Sequence, residues 1–306
     1  MSDVAAAARN RGASLTSVVM VAADSGPGLL DSAASVLRST VELELIVVDN
    51  ASADGSVESV AQRWRDDARV RIVRNARNLG FGAGCNRGAA LARGEALLFL
   101  NPDCAVAPET IGRACEAMSP GLGLLGVCIV DGHGNPEAAA RRRDPLLRRS
   151  LMSVSGLARF QSRWPCLEGV EIPPSGKAPP LETVDAISGA LMLLPRAVFD
   201  GIGGFDEGYF LHAEDLDLCR RVRDSGLAVA CANDIKVQHG KGGSSRHRPL
   251  FVAWHKHRGM WRWFTKFDPA ARNPLLRALV WFGLALHFAV LSPIHAWRQQ
   301  VARNQR

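Results

Sequence analysis

The 306-residue chain predicts an α/β fold: a mainly parallel central sheet flanked by helices, with a helical appendage at the C-terminus. Three observations predict it. Apolar strand-like runs alternate with helix-like stretches over about the first hundred residues, the pattern of a parallel sheet with helical crossovers. Several of those runs stop at an acid, as strands do when their C-terminal ends form a ligand-binding rim. A chain of this length that is 47% hydrophobic can bury one large core and still leave residues for an appendage.

In chain order, the buried run from Ser17 through Val18, Val19, Met20 and Val21 predicts a first strand, and Pro27-Gly28 leads into a helix over Leu29–Leu37. Leu43–Asp49 predicts a second strand, Ser52–Gly55 a turn and Val57–Trp64 a helix. Val70–Val73 is a third, short strand. A glycine-rich turn introduces a helix over Ala83–Ala92, and Ala96–Leu100 is an apolar strand that stops at Asn101-Pro102-Asp103. This arrangement places Asp24, Asp49 and Asp103 on one rim.

The alternation breaks down between about residues 131 and 182, where Arg141, Arg142, Arg143, Arg148 and Arg149 precede a proline-rich stretch, Ile172–Pro180. The prediction there is an irregular insertion over the site. Periodicity returns at Val184–Leu194 and Phe205–Phe210, then as a helix over Glu214–Ser225 and a strand over Leu227–Cys231. The expected organisation is a flexible N-terminus (1–16), a main domain (17–248) and a helical, membrane-associated segment (249–306).

In that last segment Trp254, Trp261 and Trp263 are interleaved with His255, Lys256, His257, Arg258, Arg262 and Lys266, a composition suited to a lipid headgroup region. Ala278–Trp297 is apolar but interrupted by His287, Ser292, Pro293 and His295. Arg277, His287, His295 and Arg298 lean to one side of a helical wheel, as in a helix lying on a membrane, while Leu284 and Leu291 spoil that face. Spanning and surface-lying readings both stand at this stage.

The chain carries 37 basic against 30 acidic residues, a formal charge of +7, which favours anionic partners. No nucleic-acid-binding module accompanies the charge, so nucleic acid is not expected as a partner. The seven cysteines are scattered without a Cys-x-x-Cys pair, which predicts reduced thiols rather than a disulfide framework or zinc ribbon. Residues 1–14 contain no apolar run of the secretory type, so the main domain is expected in the cytoplasm, at the membrane's inner face.

Asp103, at a strand end, has the hard oxygen chemistry that holds a divalent cation against a diphosphate, and His239 is a candidate to complete the shell. Each type has a commoner structural use, as turn former or surface imidazole. Glu214, Asp215 and Asp217 open a helix, where the dipole alone favours acids. Asp215 adjoins a second carboxylate, a setting that raises an acid toward general-base duty. The run Asn78-Leu79-Gly80-Phe81-Gly82-Ala83-Gly84 invites comparison with a dinucleotide fingerprint, but Ala22–Gly28, after the first strand, does not fit that motif.

Taken in order, these segments resemble glycosyltransferase family 2, within it the rhamnosyltransferase-like branch, over about Ser17–Ser245. The resemblance is carried by Ile46–Ser56 (IVVDNASADGS), Arg77–Phe81 (RNLGF) with Asn86-Arg87-Gly88, Leu100–Asp103 (LNPD), Ser188-Gly189-Ala190, Gly203–Glu207 (GGFDE), Glu214–Cys219 (EDLDLC) and His239. It implies a GT-A fold and inverting transfer of a sugar, with rhamnose favoured and dTDP-rhamnose the favoured donor. The implied acceptor is a saccharide, free or polyprenyl-linked, in surface polysaccharide synthesis.

It further implies that Asp24, Asp49, Asn78, Gly80 and Asn86 contact the nucleotide sugar, and that Asp103 stands in a shortened metal motif with His239 near an Mg2+ or Mn2+. Asp215 would be the base, with Gly189, Glu214 and Asp217 supporting it on the acceptor side. One departure is Ala22-Ala23-Asp24 where the family shows Thr-Tyr-Asn or a close variant, so an aromatic of the base pocket is missing. Two other readings use the same fold elements. A nucleotidyltransferase would carry a basic glycine-rich loop after the first strand, which Asp24–Gly28 is not; a non-catalytic nucleotide-sugar-binding protein would neither transfer nor hydrolyse a donor.

Overall fold

The computed structural model describes residues 15–173, 178–240 and 248–304, with no side chain described beyond Ile294. Most of the expected N-terminal segment, part of the proline-rich stretch, and Gly242-Gly243-Ser244 lie outside the described residues.

The first half follows the predicted alternation. Strand β1 (Thr16–Ala22) leads to helix α1 (Gly28–Leu37), β2 (Leu43–Asp49) to α2 (Ser56–Arg63), and β3 (Val70–Arg74) to α3 (Phe81–Leu91), before β4 (Ala96–Leu100). Every residue of β1 and β2 is buried, as expected of parallel strands covered on both faces. Close packing of α3 on the sheet requires its glycines: a Cβ at Gly88 would lie 2.4 Å from a Val19 methyl.

The rest of the chain completes the sheet. Strands β5 (Cys104–Ala105) and β6 (Leu122–Val130) flank helix α4 (Thr110–Ala117), in a stretch for which periodicity gave no prediction. Within the expected irregular insertion lie β7 (Arg141–Arg142), α5 (Leu147–Val154), short 3-10 turns and β8 (Leu181–Thr183). Then come β9 (Ala186–Ile187), β10 (Leu191–Pro195), α6 (Arg196–Gly201), α7 (Glu214–Asp224) and β11 (Ala228–His239).

Among the described residues the main sheet has nine strands in the order β3-β2-β1-β4-β10-β6-β11-β5, with β8 beside β11, and β7 pairs β9 separately. The pairs β1–β2, β1–β4, β2–β3 and β6–β11 are parallel; β10 runs antiparallel to both β4 and β6. Two hydrophobic clusters, one on each face of the sheet, form the core.

One predicted element is shorter than the real one. The strand expected at Leu227–Cys231 continues as β11 to His239, because a register irregularity between Ala232 and Lys236 absorbs the turn-like Asn233-Asp234 without ending the pairing. His239 is therefore the last residue of a strand anchored in the sheet.

The C-terminal appendage is a helical pair, α8 (Pro249–Phe267) and α9 (Pro274–Asn304). The far wall of α8 meets the main body: Trp263 is fully buried, and a Cβ at Gly259 would lie 2.6 Å from the His212 carbonyl oxygen. Its opposite side meets α9, with the Trp254 and Phe288 rings 5.5 Å apart and the His257 and His287 imidazoles hydrogen-bonded at 2.8 Å.

Candidate active site

The rim formed by the C-terminal ends of the parallel strands gathers most of the predicted acids. Strand β4 ends at Leu100 and the next residues turn, with Cys104 N–H donating to the Asn101 carbonyl, which lifts Asp103 over the sheet edge. Opposite it, β11 delivers His239 in register with Cys104. Asp103 Oδ1 and His239 Nε2 are 3.2 Å apart, both side chains mostly buried.

Glu137 approaches His239 Nδ1 at 3.4 Å, so the imidazole is bracketed by two carboxylates. The hydrogen bond to Asp103, with the negative charge of both acids, raises the histidine pKa despite its burial. Asp103 and His239 line a cleft of about 580 Å³ together with Gly28, Asp31, Asp131 and His133; Asp24, Asp49 and Asp215 lie outside its lining.

This donor set fits a divalent cation. A carboxylate oxygen and an imidazole nitrogen about 3 Å apart are spaced like adjacent ligands around one ion with bonds of about 2.1 Å. Cys104 lies within the same cluster, but burial pushes its thiol pKa well above the usual value and its Sγ points to the Ala190 carbonyl. It stays a neutral thiol, and two protein ligands leave room for substrate oxygens.

Asp215 is the second pole of the site. Its Oδ2 accepts from Gly189 N–H at 3.2 Å and pairs with the Arg142 guanidinium, while Oδ1 accepts from Leu216 N–H at 2.8 Å. Arg142 also donates to the Ile187 carbonyl at 2.5 Å, and its Nε is buried with no partner among the described residues. The turn 188–190 joins the two poles: Gly189 holds Asp215, and the Ala190 carbonyl accepts from Asn101 N–H at 2.9 Å.

Glu214 and Asp217 flank Asp215 but point elsewhere. Glu214 is buried, and desolvation with the neighbouring Asp215 charge pushes its pKa well above the carboxylate range. The upward shift expected from paired acids thus resides on Glu214. Asp217 is fully buried and accepts from Arg221 Nε at 2.5 Å and Lys266 Nζ at 2.6 Å, so it fastens α8 to α7.

Of the residues assigned to the nucleotide, Asp24 and Asp49 lie at the ends of β1 and β2, Asn78 and Gly80 in the loop after β3, and Asn86 within α3. Asp49 is buried, with Oδ2 at 3.1 Å from Arg74 and Oδ1 accepting from Ser52 N–H. Asp24 sits at φ +52° and accepts from Ala53 N–H at 2.8 Å, lacing the two loops together. Asn78 Oδ1 accepts from Gly80 N–H at 2.9 Å. Asn86 is committed to the 203–207 turn: it accepts from Phe205 N–H, and its amide donates to the Phe205 carbonyl and to Glu207.

Gly80 has φ +92°, and a Cβ there would lie 2.5 Å from the Phe210 carbonyl oxygen. Gly80→Ala is therefore expected to cost about 3 kcal/mol or more, read as a lowered urea midpoint. A loss below about 0.5 kcal/mol would mean that the loop yields easily.

Sequence reasoning missed Glu137 and the pairing of Arg142. Both lie in the stretch read as irregular, where the run Arg141-Arg142-Arg143 carries no apolar alternation to signal the short strand β7.

The Glycosyl transferase family 2 model matches residues 17–164. The chain is 30% identical over 288 residues, 85% of its length and 92% of the relative's, to an N-acetylglucosaminyl-diphospho-decaprenol L-rhamnosyltransferase of Mycobacterium tuberculosis. Among solved structures it resembles a mannosyltransferase from Pyrobaculum calidifontis in complex with GDP-Man and Mn2+ (TM-score 0.57, 18% identity, 95% of this chain and 75% of that one). It also resembles GalNAc-T7 with UDP, GalNAc and Mn2+ (TM-score 0.63, 18% identity, 88% of this chain and 52% of that one). The chain belongs to glycosyl transferase family 2 and is a glycosyltransferase of the GT-A fold.

Proposed function

We propose that the protein is an inverting rhamnosyltransferase that moves L-rhamnose from a nucleotide-diphosphate donor, dTDP-rhamnose by preference, to a polyprenyl-diphosphate-linked saccharide at the cytoplasmic face of a membrane. The observation that carries this reading is the near end-to-end likeness to a rhamnosyltransferase whose name specifies a lipid-linked acceptor, in a chain where one turn joins Asp103 to Asp215.

In this reading Asp215 takes the proton of the acceptor hydroxyl, whose oxygen bonds to the anomeric carbon as the bond from that carbon to the diphosphate oxygen breaks. The leaving diphosphate keeps the electron pair, and attack from the opposite side inverts the centre. Asp103 and His239 would hold a divalent cation, Mg2+ or Mn2+, which supplies positive charge to the departing diphosphate. Asp49 would meet the base, with Asp24, Asn78 and Gly80 beside the nucleotide. Gly189 and Arg142 orient the Asp215 carboxylate.

The first test is calorimetric binding of dTDP, UDP and GDP with and without Mn2+. The expected result is Mn2+-dependent binding of dTDP, weakened at least about tenfold in Asp103→Ala. Binding of none of the three by folded protein would favour a non-catalytic reading; equal binding by the variant would remove Asp103 from the donor site.

A further inference from the structure

The segment Pro274–Ile294 has a mean hydropathy of 1.8 and is long enough, at about 1.5 Å per residue, to cross a bilayer. Its surroundings decide otherwise. Leu275, Leu279, Phe282, Leu286 and Val290, spaced by three or four residues, form one stripe, and each is more than half exposed. Part of the opposite side of α9 meets α8, through Phe288 against Trp254, His287 against His257, and Arg277 over the Trp261 ring, while Trp281 on that side stays 57% exposed.

Those contacts also set the level of one helix against the other: residues 254–261 of α8 lie alongside residues 277–288 of α9. Lys256 and Arg258, both exposed, fall within that span. A membrane-crossing α9 would carry these cations, and the packed α8, to the middle of the hydrocarbon, where charge is costly. With α9 lying flat, its apolar stripe enters the lipid while α8 and its charges stay on the aqueous side. Leu284 and Leu291, which disturb the polar face of the helical wheel, share the half-buried side with Phe288.

We infer that α9 is a one-leaflet, in-plane anchor whose stripe Leu275–Leu279–Phe282–Leu286–Val290 docks at the headgroup–acyl boundary of an anionic bilayer. It rests on the proposed action at a membrane and specifies its geometry. The second face of α8 then ties the anchor to the base. His255 stacks on Phe210 at 4.5 Å and Gly259 abuts His212, so the loop leading to Asp215 lies one helix away from the lipid-bound element.

The test uses the full chain with exposed Cys166 changed to Ser and single cysteines placed at Leu279, Phe282, Leu286 or Val290. Each carries an environment-sensitive dye, on vesicles of phosphatidylethanolamine and phosphatidylglycerol containing lipids brominated at different acyl depths. An in-plane helix places all four dyes at one shallow depth; a crossing helix spreads them over about 16 Å along its axis. The double variant Phe282→Glu, Leu286→Glu, altered only at exposed positions, is expected to lose vesicle binding by about tenfold or more.

A graded depth profile would overturn the inference, as would vesicle binding unchanged in the double variant. So would absence of binding with concentration-dependent dimerisation abolished by that variant, which would assign the stripe to a second copy. Because none of these readouts needs turnover, they stay separate from failure of the proposed rhamnosyl transfer.

Discussion

Asp215→Asn is expected to lower turnover by about 10³-fold while leaving nucleotide binding intact, because it removes the proton acceptor yet keeps the shape of the side chain. The substitution also deprives Arg142, largely buried beside it, of its counter-charge, so some stability is lost as well. Measurement therefore pairs initial rates with calorimetric binding of the nucleotide on the same folded preparation. Retention of more than about a tenth of wild-type turnover would assign the proton transfer to another group.

Asp217→Ala is expected to cost about 3 kcal/mol of stability. The carboxylate is fully buried and ion-paired to both Arg221 and Lys266, and its removal leaves two cations in partly desolvated positions. The figure sits at the lower edge of the range for buried pairs because Lys266 is one-third exposed and keeps its contact with Asp206. Urea unfolding followed by the fluorescence of buried Trp263 would show a lower midpoint, and amide exchange in α8 would rise. A loss under about 1 kcal/mol would mean that Asp206 and the Trp263 packing suffice to hold α8.

The sequence made the first four strands and three helices readable because β1 and β4 are apolar runs, β2 is interrupted only by Glu44, β3 alternates apolar residues with arginines, and turn residues bound each of them. The acids at strand ends were equally readable, since an Asp after Leu100 or Val48 can only lie on the rim. What local pattern could not convey is who partners whom. Glu137 reaches His239 across 102 positions and Arg142 reaches Asp215 across 73, and neither spacing leaves a periodic trace.

Asp217 illustrates the same limit. The family resemblance implies support on the acceptor side for Asp217, and the structure turns its carboxylate inward to meet Lys266 on a helix 49 positions later. Glu214 and Asp215 are adjacent in the chain, but burial beside the Asp215 charge pushes the Glu214 carboxyl toward its acid form, while Asp215 pairs with the Arg142 guanidinium.

Strand β10, the antiparallel member between β4 and β6, sets a ruler for catalysis. Its ladder pairs Leu191 with Leu100, so the residues just before β10 and just after β4 share one hydrogen-bonding step. The gap between the Asp103 turn and the cradle of Asp215 is thereby quantised: it can change only by whole residues of about 3.4 Å, and a slip of one would also turn every β10 side chain into the wrong layer. Between these two turns, only segments that carry neither a strand nor a site residue, such as residues 156–168, are thus free to lengthen or shorten while the reacting groups keep their separation.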